Sequence, residues 1–164
     1  MNYNPNCPFD IETMCAECFY NPNSHSFHKL SENYDDVYFY TCHAKTNYSN
    51  DGEEFVKHMR LEIEKIKNKN WIWIVDGLYF MFKHLRTPKF GMKIINFLNS
   101  FYSINLQKII IINDNTPFKI MLSAIWRYIP EYIQKKFIFD KTKMFSELLN
   151  IDDKLYLLEK KLTF

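Results

Sequence analysis

At 164 residues, 47% hydrophobic and 18% aromatic, the chain suits a single domain with enough apolar material to build a core. Its formal net charge of +2 comes with no basic stripe, and its aromatics sit in apolar runs rather than between lysines and arginines, so nucleic acid is not an expected partner. With 3 glycines and no phosphate loop, nucleophile elbow or metal-binding His-Glu pair, the sequence shows no catalytic motif, and a non-enzymatic protein is expected.

Residues 1–33 read as a polar, turn-rich leader, with a short helix over Asp10–Tyr20. Inside it lies one metal-like constellation, Cys15 and Cys18 followed by His25 and His28. Thiolate and imidazole are the ligands zinc prefers, and each pair is spaced to hold one ion. The gap between the pairs is shorter than in ordinary zinc modules, so two packed cysteines beside two exposed histidines describe the same residues. A structural zinc is the only cofactor the sequence suggests. The amino terminus has no basic-then-apolar signal, so the 4 cysteines are expected reduced and the chain cytoplasmic.

Residues 34–164 read as one domain. Val37–Cys42 is β-branched and aromatic, hence a strand. Glu53–Lys69 is an amphipathic helix with Phe55, Met59, Ile63 and Ile66 on one face and acids in its first turn. Trp71–Val75 is apolar on both faces, as a central strand should be, and ends at Asp76. The stretch Trp71–Phe82, broken by Asp76, falls short of the ~20 apolar residues a membrane-spanning helix needs. Pro88 opens a second helix with Phe90, Ile94, Phe97, Leu98 and Phe101 in register.

Four consecutive isoleucines, 109 to 112, then form a buried strand stopped by Asn113-Asp114-Asn115-Thr116-Pro117. Phe118, Met121, Leu122, Ile125 and Ile129 recur at helical spacing up to Pro130, and Lys136-Phe137-Ile138-Phe139 begins another strand. Alternating strands and helices predict an α/β fold: a mostly parallel β-sheet with helices packed on it. Beyond Asp140 the apolar periodicity predicts further helix.

The isoleucine strand ending in Asn, the short turn, Pro117-Phe118, the apolar helix closing at Pro130 and Lys135-Lys136-Phe137-Ile138 together resemble the carboxyl half of the CRAL-TRIO domain. Trp71–Gly77 resembles that family's apolar strand ending in Asp, and Tyr102 the tyrosine ahead of its next strand. The resemblance spans Val37 to Leu149. It implies an apolar cavity for a phospholipid or other hydrophobic ligand, taken up in transient contact with a membrane surface and gated by the helix over 117–130. Phe118, Met121, Leu122, Ile125, Trp126 and Ile129 would line it. Met121 suits an adaptable wall and Trp126 a membrane–water boundary. From the stripe alone, a helix packed into a filled core is the simpler reading.

The resemblance also assigns Lys136 to a lipid phosphate. Ile104 stands where the phosphate-binding members carry the partner acid, a departure that points away from inositol lipids. The family's usual helical segment ahead of the sheet is not matched by residues 1–33, which implies a trimmed or one-sided cavity. The alternative function is a protein-interaction module on the same fold, with a protein partner such as a small GTPase in place of lipid.

Overall fold

A computed structural model describes residues 27–42, 53–66, 68–77, 80–86 and 88–140. Among the described residues five strands form one sheet in the order of the sequence: β1 (His28–Glu32), β2 (Asp36–Cys42), β3 (Asn70–Asp76), β4 (Leu106–Ile112) and β5 (Phe137–Phe139). β1 pairs antiparallel to β2, and every later pairing is parallel. This is the mostly parallel α/β sheet that the sequence predicts.

The crossovers carry α1 (Glu53–Lys65), α2 (Pro88–Leu98), α3 (Thr116–Trp126) and the short α4 (Glu131–Gln134), with 3₁₀ turns at Phe82–Arg86 and Phe101–Ser103. When each parallel strand lies beside its predecessor, right-handed crossovers all leave by the same face of the sheet. The burial agrees. Val37, Phe39, Trp73, Val75, Ile109 and Ile111, alternate residues of three strands, join Phe55, Met59, Ile94 and Leu98 of the helices in one core. The intervening residues Tyr38, Tyr40, Ile72, Ile74 and Ile110 are buried too, outside that cluster. β3 is therefore covered on both sides, which is why its sequence shows no alternation.

Three features were not legible in the sequence. The last residues of the expected leader are a strand: His28–Glu32 lacks β-branched residues, yet its pairing with β2 overrides that weak propensity. Just before it, Phe27 is fully buried, stacked on Phe39 at 4.6 Å and edge-on to Trp71 and Trp73. Its carbonyl accepts a hydrogen bond from the buried ring of His58. In β4 the register slips between Trp71↔Leu106 and Ile72↔Lys108, so Gln107 is an extra residue. That bulge turns Leu106 into the core along with Ile109 and leaves Lys108 exposed. The helix expected over 117–130 stops at Trp126, and α4 fills the space before β5.

Candidate ligand cavity

The wall that matters is α3, and both of its ends are tied by side-chain amides. At the start, the Asn115 side-chain oxygen accepts from the Phe118 N–H at 3.0 Å while its amide nitrogen donates to the Phe80 carbonyl at 2.7 Å. Pro117 occupies the first turn, where no N–H is needed. At the far end the last carbonyls of a helix lack intrahelical donors. Gln134 of α4 adds a second donor there, reaching the Trp126 carbonyl at 3.1 Å beside the Ile129 N–H, and also donates at 2.8 Å to the Ile129 carbonyl in the turn beyond the helix. Between the ties Phe118 and Leu122 are the buried residues of the helix, and Met121, Ile125 and Trp126 pack on the core half-buried.

Two glycines allow the close fit around it. A Cβ on Gly77, at the end of β3, would meet the Asn113 carbonyl oxygen at 3.1 Å and Phe118 at 3.3 Å. A Cβ on Gly91 of α2 would meet Ile125 of α3 at 3.2 Å. Asn113, the turn residue opposite Gly77, takes the left-handed conformation with φ 50°, which Asn tolerates better than most residues. Its amide donates to Asp76 at 3.1 Å, and the Tyr40 hydroxyl donates to the same carboxylate at 2.7 Å. Asp76 thus latches the carboxyl ends of β2, β3 and β4 together, a structural task for a buried carboxylate.

Between α2, α3 and the sheet lies a cavity of about 60 Å³. Its floor is Trp73, Val75, Ile109, Ile111 and Phe137, and every lining residue is aliphatic, aromatic, methionine or glycine. The one polar atom of the floor, the indole N–H of Trp73, donates to Thr41 at 2.8 Å. Nothing in this space recognises a charge. It accepts only apolar groups.

Of the residues the sequence assigned to a ligand, Phe118, Met121, Leu122, Ile125 and Ile129 line this cavity. Trp126 does not; it packs edge-on against Phe137 at 5.1 Å. Lys136 also lies apart, at the amino end of β5, where its ammonium donates to the Leu106 carbonyl and burial pushes it below the usual lysine range. Ile104 is exposed on the neighbouring turn, in a groove with Phe101 and Tyr102. There the Tyr102 hydroxyl donates to Glu64 at 2.6 Å, a bond that, with burial behind it, holds the phenol above its ordinary value. The opposite wall of the cavity, Phe90, Gly91, Ile94, Ile95 and Leu98 of α2, was not named from the sequence. Its signal was there: one glycine in the middle of an apolar helix, in a chain with only 3.

Cys15, Cys18 and His25 lie outside the described residues, as does the side chain of His28. Among the described residues no three His, Cys, Asp or Glu side chains gather where a metal would sit, and no helix is long and apolar enough to cross a membrane.

Compared with known families, the sequence matches the one described as the CRAL/TRIO domain over residues 32–160. Among curated proteins, no match was found.

Proposed function

Because the chain belongs to the CRAL/TRIO domain family, whose domains bind lipophilic molecules, we propose that it holds a phospholipid or another hydrophobic ligand between α2, α3 and the sheet. The observation that carries this reading is the wholly apolar cavity under α3. At about 60 Å³ it is well below the roughly 300 Å³ where ligand pockets begin, so uptake requires α3 to swing outward. The energetics permit it. Lifting α3 uncovers Phe118 and Leu122 at about 1.5–3 kcal/mol each, and each ligand methylene buried in exchange returns about 0.8 kcal/mol. About eight methylenes offset these two side chains at the upper figure, and the partly buried Met121, Ile125 and Trp126 and the Asn115 and Gln134 ties add to what a ligand must offset. No bond is made or broken in this scheme; the protein acts by reversible burial.

Native mass spectrometry of the chain purified from cells should show a bound lipid, and liposome assays should show its transfer. A bare mass together with no transfer refutes the reading. The small volume of the cavity favours one alternative, a non-catalytic interaction module whose partner is another protein. A stoichiometric complex formed by a chain that carries no lipid would establish that instead.

A further inference from the structure

Phe27 is fully buried, yet it belongs to no helix or strand. Its ring neighbours do: Phe39 lies in β2, Trp71 and Trp73 in β3, and Phe55 in α1. Two backbone links tie Phe27 in. One is β1, at the margin of the described sheet, whose register slips between Lys29 and Ser31 and whose Ser31 hydroxyl is buried with no hydrogen-bond partner. An unsatisfied buried hydroxyl works against the strand that carries it. The other is the bond from the His58 ring to the Phe27 carbonyl. A carbonyl only accepts, so the His58 Nε2 carries the proton.

The ring stands beside the cavity. Phe55 and Trp73 line that space, and both meet Phe27 edge-on, at 6.4 and 6.1 Å between ring centres. Trp73 is fixed by its bond to Thr41. Phe55 lies in the first turn of α1, the end of a helix whose N–H groups lack intrahelical partners, and is the freer of the two walls. A hollow of about 150 Å³ admits one benzene. The Phe27 ring therefore holds more room than the cavity of about 60 Å³ next to it offers. Moving Phe39, Trp71 or Trp73 would break a central strand, and moving Phe97 would break α2. Moving Phe27 disturbs one marginal strand and no crossover.

We propose that Phe27 is a displaceable plug in the inner end of the ligand site: a hydrophobic ligand entering under α3 takes the place of its ring as β1 loosens and the His58 bond breaks. The walls left behind, Phe39, Phe55, Trp71 and Trp73, are all rings, so the space takes the end of an alkyl chain or a flat apolar ring. Water entering behind the departing segment takes over the His58 N–H. The proposal rests on the ligand reading, and it supplies room that lifting α3 alone does not.

The test is the rate at which the full chain loads a pyrene-labelled phosphatidylcholine offered in vesicles. Phe27→Ala should load about tenfold faster or more, the factor that burying one phenylalanine represents. Phe97→Ala, an equal truncation of a fully buried ring that does not line the cavity, should not load faster. His58→Leu, which removes the bond and keeps an apolar side chain, should load about two- to tenfold faster. In the loaded parent, hydrogen exchange should show the amides of Lys29 to Glu32 losing protection while those of Ile72 to Val75 keep theirs. Equal gains in Phe27→Ala and Phe97→Ala, or a loaded parent whose β1 keeps its protection, overturn the plug and leave the ligand reading standing. A parent that does not load while Phe27→Ala does supports the plug, which then holds the parent shut. If neither loads, the ligand reading fails and the plug with it. Should Phe27→Ala fail to fold, His58→Leu and the exchange measurement decide.

Discussion

Gln134→Ala is the sharpest probe of how α3 is held. The substitution deletes two hydrogen bonds, to the Trp126 and Ile129 carbonyls, at a partly buried site that water can reach once the amide is gone. Each such bond contributes about 0.5–1.5 kcal/mol net, so the pair contributes about 1–2 kcal/mol after water replaces part of it. Whole-protein melting should fall by about 2–8 °C, at about 2–4 °C per kcal/mol for a chain of this size. The loss is local, because Gln134 ties only the end of α3. The equilibrium for lifting α3 should therefore shift by about 5–30-fold toward the open form. Native-state hydrogen exchange reads this directly: amides of Leu122 to Trp126 should lose protection by that factor while those of Ile72 to Val75 in β3 keep theirs. If ligand exchange is gated by α3, the transfer rate rises in step. Unchanged protection in α3, or an equal loss in β3, refutes the idea that Gln134 is the tie.

The remaining predictions concern the site's fit and the sheet's edge. Gly77→Ala should destabilise by about 1–3 kcal/mol in urea unfolding, because two of the three atoms its Cβ meets are backbone atoms that cannot step aside. Leu122→Ala should cost about 2–5 kcal/mol and enlarge the cavity. A small apolar solute such as benzene should recover part of that loss in Leu122→Ala and none in the parent. In β1, Lys69 first and then Lys29 hold the Glu32 carboxyl down to about 2 from 4.5. A depressed carboxyl contributes stability above its unfolded value that is lost as pH falls through the folded one. Acid titration of the parent should show that loss between pH 4.5 and 2, and Glu32→Gln should flatten this part of the curve.

How much of this was legible depends on how local the cause is. β3, β4, α2 and α3 announce themselves because each buries a long stripe or a two-sided run, and periodicity reports burial directly. β1 does not, since His28–Glu32 is a strand only because β2 lies beside it. α4 is four residues long, too short to show a period. The cavity's α3 wall follows from spacing within one helix, whereas the α2 wall depends on how closely two helices approach at Gly91. The position of Lys136 depends on the β4 bulge and on the length of β5, neither of which leaves a mark in composition.

The unbroken spatial order from β1 to β5 has a consequence for how the molecule assembles. Among the described residues no later strand inserts between two earlier ones, so each of these strands, once made, finds its template already laid down and need not wait for distant chain. During synthesis the sheet can grow by accretion at one margin, and β5, the last of the described strands to join, is the lane at which growth is most easily undone.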